Sequence, residues 1–249
     1  MRFAGKTVLI TGAAAGFGKM AAERMVAEGA QVALGDVDER VFEVAETLGA
    51  KAMICDVSRE ADQKALADLA LSIDGRIDIA LNNAGIAHKT GFMADISLDD
   101  FSRQMAVNAG GCFLGMKYQL PVMKAQRGGA ILNTASAAGL VAAPLSGAYA
   151  AAKHAVIGLT KTAADEYARY RVRVNAVCPS FTNTAMVDGL RAEMGGDAAS
   201  LDAKLTMRIP MGRVAEAEEI VQGMLWAVSD ENSFMTGQAL ALDGGLTAV

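Results

Sequence analysis

Tyr149 and Lys153 stand four positions apart in a YxxxK arrangement, with Ser136 thirteen positions before the tyrosine and Asn108 twenty-eight before the serine. On a helix such a pair shares one face, so a phenol and an ammonium would meet. A phenol with its ordinary pKa of about 10 is a poor base at neutral pH. A neighbouring cation favours the phenolate and brings it toward the working range of a general acid–base group. Ser136 could donate to a substrate oxygen close by. Taken alone, YxxxK matches many ordinary amphipathic helices. Asn108 adds a further polar group, inside a long helical pattern beside Gly110 and Gly111, where the helix is open to interruption.

Far upstream, TGAAAGFG at positions 11–18 closes a short apolar run. Gly12, Gly16 and Gly18, with Phe17 between the last two, would let a pyrophosphate approach backbone N–H groups and the positive end of the next helix. Three glycines alone are equally compatible with a plain tight turn. A P-loop is excluded, because Gly18-Lys19 would need glycine at Ala13 and a hydroxyl at Met20. Asp36, eighteen residues past Gly18 and followed by Val37, stands where a carboxylate can accept both ribose hydroxyls of an adenosine. Its plainer reading is a helix-capping aspartate. Asp56-Val57 and Asn82-Asn83-Ala84-Gly85 also fall at the carboxyl ends of apolar runs, the edge on which ligands bind in open parallel sheets.

The elements that must position these groups alternate along the chain. Strands are predicted at Thr7–Ile10, Gln31–Gly35, Ala52–Cys55, Ile77–Leu81, Ala130–Asn133, Val172–Val177 and Ala239–Leu242. Most are near-continuous apolar runs, as for parallel strands covered on both faces. Helical patterns cover Phe17–Glu28, Glu39–Leu48, Arg59–Ser72, Leu98–Ala125, Gly147–Ala168 and Ala215–Ser229. This alternation predicts right-handed crossovers and a doubly wound sheet in a single domain over 1–249. The stretch Phe181–Met211 reads as an irregular inserted flap.

Composition narrows the class. The chain has 249 residues, 52% of them apolar and only four prolines, enough for one large core. A net charge of −5 with interspersed signs offers no stripe for nucleic acid. Cys55, Cys112 and Cys178 lack metal-type spacing, and His88 and His154 are the only histidines, so no metal site is expected. No signal-peptide core or membrane span is visible, which predicts a cytoplasmic protein without a membrane partner.

Together these features resemble the short-chain dehydrogenase/reductase family along the full length. The match is carried by TGAAAGFG, Asp56-Val57, NNAG, Asn108, Ser136, YAAAK, RVNAVCP and a closing TGQALALDGG. The resemblance implies a single-domain Rossmann fold with a doubly wound parallel sheet of about seven strands. It also implies Asn108, Ser136, Tyr149 and Lys153 as a catalytic tetrad. Tyr149 would exchange the hydroxyl proton and Ser136 orient the substrate oxygen. Lys153 would bind the nicotinamide ribose and acidify the phenol, while Asn108 would hold a water in the relay. Cofactor contacts are implied at Gly12, Gly16, Phe17, Gly18, Asp36, Val37, Asp56, Val57, Asn83, Ala84, Gly85, Tyr149, Lys153, Pro179, Thr182 and Thr184. One departure stands out: the family's usual glycine after Pro179 is Ser180 here.

The activity expected is that of an NAD-dependent alcohol dehydrogenase or carbonyl reductase. NAD is favoured over NADP because Asp36 would repel a 2′-phosphate and Ala15 and Val37 supply no cation. A 3-oxoacyl-type reductase is an alternative, as is a catalytically silent nucleotide-binding regulator, although Tyr149 and Lys153 are both retained. A nucleotide-sugar epimerase would need a larger domain after the sheet. The pocket wall is expected from 181–211 with 86–93 and 140–145, through Ile86, Phe92, Met93, Leu140, Val141, Leu145, Met186, Leu190 and Met194. Such a wall suits an apolar, cyclic secondary alcohol, without arginines for an acid group. NTASAAG and AKHAVIGLT faintly resemble family members acting on cyclic alcohols and diols. A partner surface is expected, because Phe113, Met116, Tyr118, Val122, Met123, Val156, Ile157 and Leu159 spread over several helix faces, and the family resemblance implies a homotetramer.

Overall fold

The structure is a computed structural model that describes residues 1–87, 90–194 and 198–248; side chains at 186, 190 and 193–201 lie outside the description. His88 therefore lies outside it, as do the wall positions Met186, Leu190 and Met194.

Seven strands form one parallel sheet: β1 (Thr7–Thr11), β2 (Gln31–Asp36), β3 (Lys51–Ile54), β4 (Ile79–Asn82), β5 (Gly129–Thr134), β6 (Val172–Pro179) and β7 (Ala239–Leu242). Their spatial order is β3-β2-β1-β4-β5-β6-β7, so the winding reverses between β1 and β4. This is a Rossmann-type fold, and the reversal opens a crevice at the carboxyl ends of those two strands.

Helices α1 (Gly16–Ala27), α2 (Arg40–Leu48) and α9 (Ala217–Val228) bury their apolar sides on one face of the sheet, against Val8, Ile10, Val32 and Leu34. Helices α3 (Glu60–Asp74), α5 (Gly111–Gln126) and α6 (Gly147–Tyr167) cover the other, against Leu9, Ala33 and Ile131. Residues alternate between two dry faces, and for that reason the strands read as unbroken apolar runs.

Two elements differ from expectation. The helix expected over 98–125 divides into α4 (Leu98–Gln104), a π-helical turn (Met105–Gly110) and α5. The widened turn swings Asn108 inward, where its amide pairs with the Ile86 backbone. π-Turns of this kind recur at functional sites. The expected flap instead contains α7 (Ala185–Met194) and α8 (Ala198–Thr206). Side-chain pairing organises it: Arg191 in α7 donates to Asp202 in α8 at 2.8 Å and to Asn183 at 2.9 Å. Such tertiary pairing is invisible to local propensity.

Several residues expected at a subunit interface belong to the core. Met116, Met123, Val156 and Ile157 are buried, because α5 and α6 are covered by the sheet and by each other. Phe113 remains half-exposed, as does Phe101 on α4, where Leu98 is largely exposed. Among the described residues no helix is long and apolar enough to cross a membrane.

Candidate active site

The glycine turn joins β1 to α1 at the crevice. Gly12 has φ +68°, and an added Cβ would come within 2.8 Å of the Ala84 Cα. Gly18 sits behind the turn, where a Cβ would press on the Gly12 carbonyl, so it permits packing rather than lining the groove. Gly16 has φ +53° with open space beside it. The three glycines thus have distinct reasons: close backbone contact, helix seating and a left-handed turn facing the groove.

Asn83 ties this turn to the next strand end. Its Nδ2 donates to the carbonyls of Thr11 and Gly12 at 3.1 and 3.2 Å. The backbone N–H groups of Asn83 and Ala84 both donate to the Thr11 hydroxyl. The Thr134 hydroxyl donates to Asn83 Oδ1 at 3.3 Å.

Thr134 also anchors the lysine. Lys153, only 3% exposed, donates from Nζ to the Thr134 carbonyl at 2.7 Å, and its ammonium lies 5.5 Å from the Tyr149 ring centre. A buried ammonium carries three N–H donors and is costly unless they are matched. One is met here among the described residues, leaving two for a ligand in the groove. Asn108 is fully buried behind Gly85. Its Oδ1 accepts from Ile86 N at 2.9 Å, and its Nδ2 donates to Ile86 O and to Gln104 Oε1, at 3.0 and 2.6 Å. Gln104 in turn donates to the Ala87 carbonyl. Ser136 Oγ accepts from Ala138 N and lies 3.5 Å from the Pro179 carbonyl.

A groove of about 600 Å³ runs along the carboxyl edge. Gly12, Gly16, Phe17, Asp36, Val37, Asp56, Val57, Asn83, Ala84 and Gly85 line one end. Ser136, Tyr149, Lys153, Pro179, Thr182 and Thr184 line the other. The Asp36 carboxylate is held at the rim by the N–H groups of Ala14 at 2.9 Å and Asp38 at 3.1 Å. Arg40 is committed elsewhere: it donates to Asp38 at 2.7 Å and, by that hydrogen bond, holds the Asp38 carboxyl down at about 2. Lys19 lies on the surface of α1 beside Glu23. Asp56 accepts from the Ser58 hydroxyl at 2.7 Å, which lowers its pKa. Thr182 and Thr184 bond to the backbone carbonyls of Ser180 and Thr182. A glycine cradle, a rim carboxylate and a buried ammonium with unmatched donors fit a dinucleotide laid along the edge.

A second cavity of about 670 Å³ meets this groove at Ser136, Tyr149 and Ser180. Its walls differ from expectation. Val141 contributes, but Ile86 lines the dinucleotide groove, Leu140 packs into a core cluster, and Phe92 and Met93 are exposed to solvent. Leu145, with φ +64°, is outside the lining too. Small residues form the wall instead, Ala137, Ala138, Ala142, Ala143 and Pro144, with Phe181, Val187, Leu205 and Leu246 from the far side. Lys204 and Arg208 also line it, although no acid-binding cations were expected there. Their spacing of four residues was the only available signal. Thr134 and Gln104, which hold Lys153 and Asn108, had no sequence signature of their own.

The fold is of the Rossmann type, with a groove at the reversal point and the hydroxyls of Ser136 and Tyr149 at one end of it. Residues 12–247 match the family model described as enoyl-(acyl carrier protein) reductase. The chain belongs to the short-chain dehydrogenase/reductase family. It is 43% identical over 250 residues to a 2,5-dichloro-2,5-cyclohexadiene-1,4-diol dehydrogenase of Sphingobium indicum, covering 98% of each chain. It is 39% identical to a trans-4-hydroxycyclohexanecarboxylate dehydrogenase of Sinomonas cyclohexanicum, covering 99% of this chain and 95% of that one. The crystal structure of levodione reductase superposes with a TM-score of 0.95 at 33% identity, covering the whole of both chains.

Proposed function

We propose that this protein is an NAD-dependent dehydrogenase that interconverts a secondary alcohol and its ketone on a mainly apolar, cyclic skeleton. The observation that carries this reading is the meeting of the dinucleotide groove and the small-residue cavity at Ser136 and Tyr149. A ring enclosed by the second cavity would present its carbinol to both hydroxyls. The dehydrogenases named above, two of which carry a six-membered ring in their names, agree with that shape.

Tyr149 takes the alcohol proton in oxidation and returns it in reduction. Ser136 donates to the substrate oxygen and fixes its direction. Lys153 keeps its ammonium 5.5 Å from the centre of the Tyr149 ring and offers its two remaining N–H donors to the ribose. The side chain of Asn108 is spent on Ile86 and Gln104, so its contribution to a relay falls to its backbone carbonyl and to the shape of the π-turn. The chemistry a bound nicotinamide supplies there is uptake or return of a hydride. Asp36 selects NAD, because its rim carboxylate accepts ribose hydroxyls, while Arg40 beside it is committed to Asp38 and Lys19 lies beside Glu23. Ser180, on both cavities, places one extra hydroxyl where they join.

The test is a panel of cyclohexanols, cyclohexanediols and acyclic secondary alcohols with NAD, followed by the absorbance of reduced nicotinamide. Cyclic members should have the highest kcat/KM. Turnover of acyl thioesters with no activity on ring alcohols would overturn the substrate reading and favour a 3-oxoacyl-type reductase.

A further inference from the structure

The apolar cavity contains two groups that a neutral ring alcohol leaves unused. Lys204 on α8 and Arg208, just beyond its end, line the cavity beside Leu205. The other polar residues in the lining, Thr90, Ser136, Ser146, Tyr149 and Ser180, bear hydroxyls, and no carboxylate is found among the described lining residues. Neither cation forms an ion pair or side-chain hydrogen bond with a described residue. Arg191 on the neighbouring α7 shows the contrast, for it is engaged by Asp188 and Asp202, both at 2.8 Å. Among the described residues, the two positive charges therefore have no counter-charge, and they stand over a cavity with apolar walls, at the end supplied by 181–211.

We infer that the preferred substrate carries a carboxylate on the far side of its ring, held by Lys204 and Arg208 while the carbinol meets Ser136 and Tyr149. This rests on the oxidoreductase reading above and adds the acidic substituent to it. The charge arithmetic favours an anion: cations exposed to water are well solvated when the cavity is unfilled, and a carboxylate entering beside them exchanges that hydration for two opposite charges. A guanidinium also matches a carboxylate in two-point geometry. Apolar walls between the two polar ends favour a compact ring spacer over a sugar, whose hydroxyls would be left unpaired.

The experiment compares 4-hydroxycyclohexanecarboxylate with its methyl ester, using NAD, in the wild type and in Lys204→Ala/Arg208→Ala. The wild-type ratio of kcat/KM, acid over ester, should be about tenfold, the combined effect of two partly screened charge pairs. It should fall toward one in the double variant and decline in the wild type as salt rises. A wild-type ratio near one, with the ester oxidised, would overturn the inference while leaving the dehydrogenase reading intact. If neither compound is oxidised, the dehydrogenase reading fails, and binding alone decides the inference. Calorimetry on the NAD-loaded protein should then show cyclohexanecarboxylate binding more tightly than its carboxamide, with the difference lost in the double variant. Equal binding of the two, or a difference that survives the double substitution, would overturn it.

Discussion

Replacing Asp36 by alanine isolates the group proposed to read the adenosine ribose. In the structure its carboxylate is fixed by the N–H groups of Ala14 and Asp38, so it is already oriented at the rim. A 2′-phosphate brought there would meet a like charge at about 4 Å, which costs about 4 kcal/mol per unit pair at an effective dielectric of about 20. Salt and side-chain movement reduce this to about 3 kcal/mol, or about a hundredfold at 1.4 kcal/mol per decade. Wild-type kcat/KM should therefore favour NAD over NADP by about that factor. Asp36→Ala should narrow the gap mainly by weakening NAD, and it should cost about 1 kcal/mol of stability for each N–H left without its acceptor. Arg40 gives a second handle. It is 63% exposed on its side chain and tied to Asp38, so Asp38→Ala should release a cation near the rim and raise activity with NADP. Steady-state kinetics with both cofactors is the assay. Equal wild-type values, or a preference for NADP, would show that Asp36 does not face the ribose and would refute the reasoning.

Tyr149→Phe should lower kcat by about 10²–10⁴-fold while NAD still binds, and a variant retaining more than about a tenth of wild-type kcat, with chemistry rate-limiting, would remove the residue from the acid–base role. Gly12→Ala should cost more than about 2 kcal/mol and several degrees of Tm, since it combines a left-handed φ with a clash against Ala84, whereas Gly16→Ala should cost about 1 kcal/mol and chiefly weaken NAD; matching Tm losses would contradict this division. Burial pushes the thiols of Cys55 up to about 12 and of Cys112 and Cys178 up to about 11, so at pH 8 the native protein should resist alkylation until it unfolds, and prompt labelling of the native state would count against that burial. Light scattering should give a homotetramer that covers Leu98, Phe101 and Phe113; a monomer mass at micromolar concentration would contradict it.

Legibility in the sequence followed the reach of the interactions. The inner strands were readable because they are buried on both faces, so Val8, Leu9 and Ile10 are all apolar whichever way they point. The glycine turn and YxxxK were readable because their chemistry depends on fixed local spacing. Gly110 and Gly111 marked where the long helix is interrupted, but the π form of the turn was not legible, since it brings an amide to Ile86, twenty-two residues away. The multi-faced apolar helices suggested a partner, but much of that surface, including Met116 and Met123, meets the protein's own sheet. The cavity wall was misjudged for a related reason. Large residues attract attention as pocket formers, yet Phe92 and Met93 turn outward, and alanines leave the room that a ring would fill. Lys204 and Arg208 come over that space only through the path of the backbone.

Thr134 has a consequence for how such an enzyme can diversify. Its carbonyl holds Lys153 and its hydroxyl holds Asn83, which in turn grips the glycine turn. The glycine turn and Lys153 are thereby braced through one residue at the end of β5. Among the described residues, neither the small-residue loop at 137–144 nor the α7–α8 segment supplies a group to that brace. Substitutions within those two stretches, which shape the second cavity, would leave that brace in place.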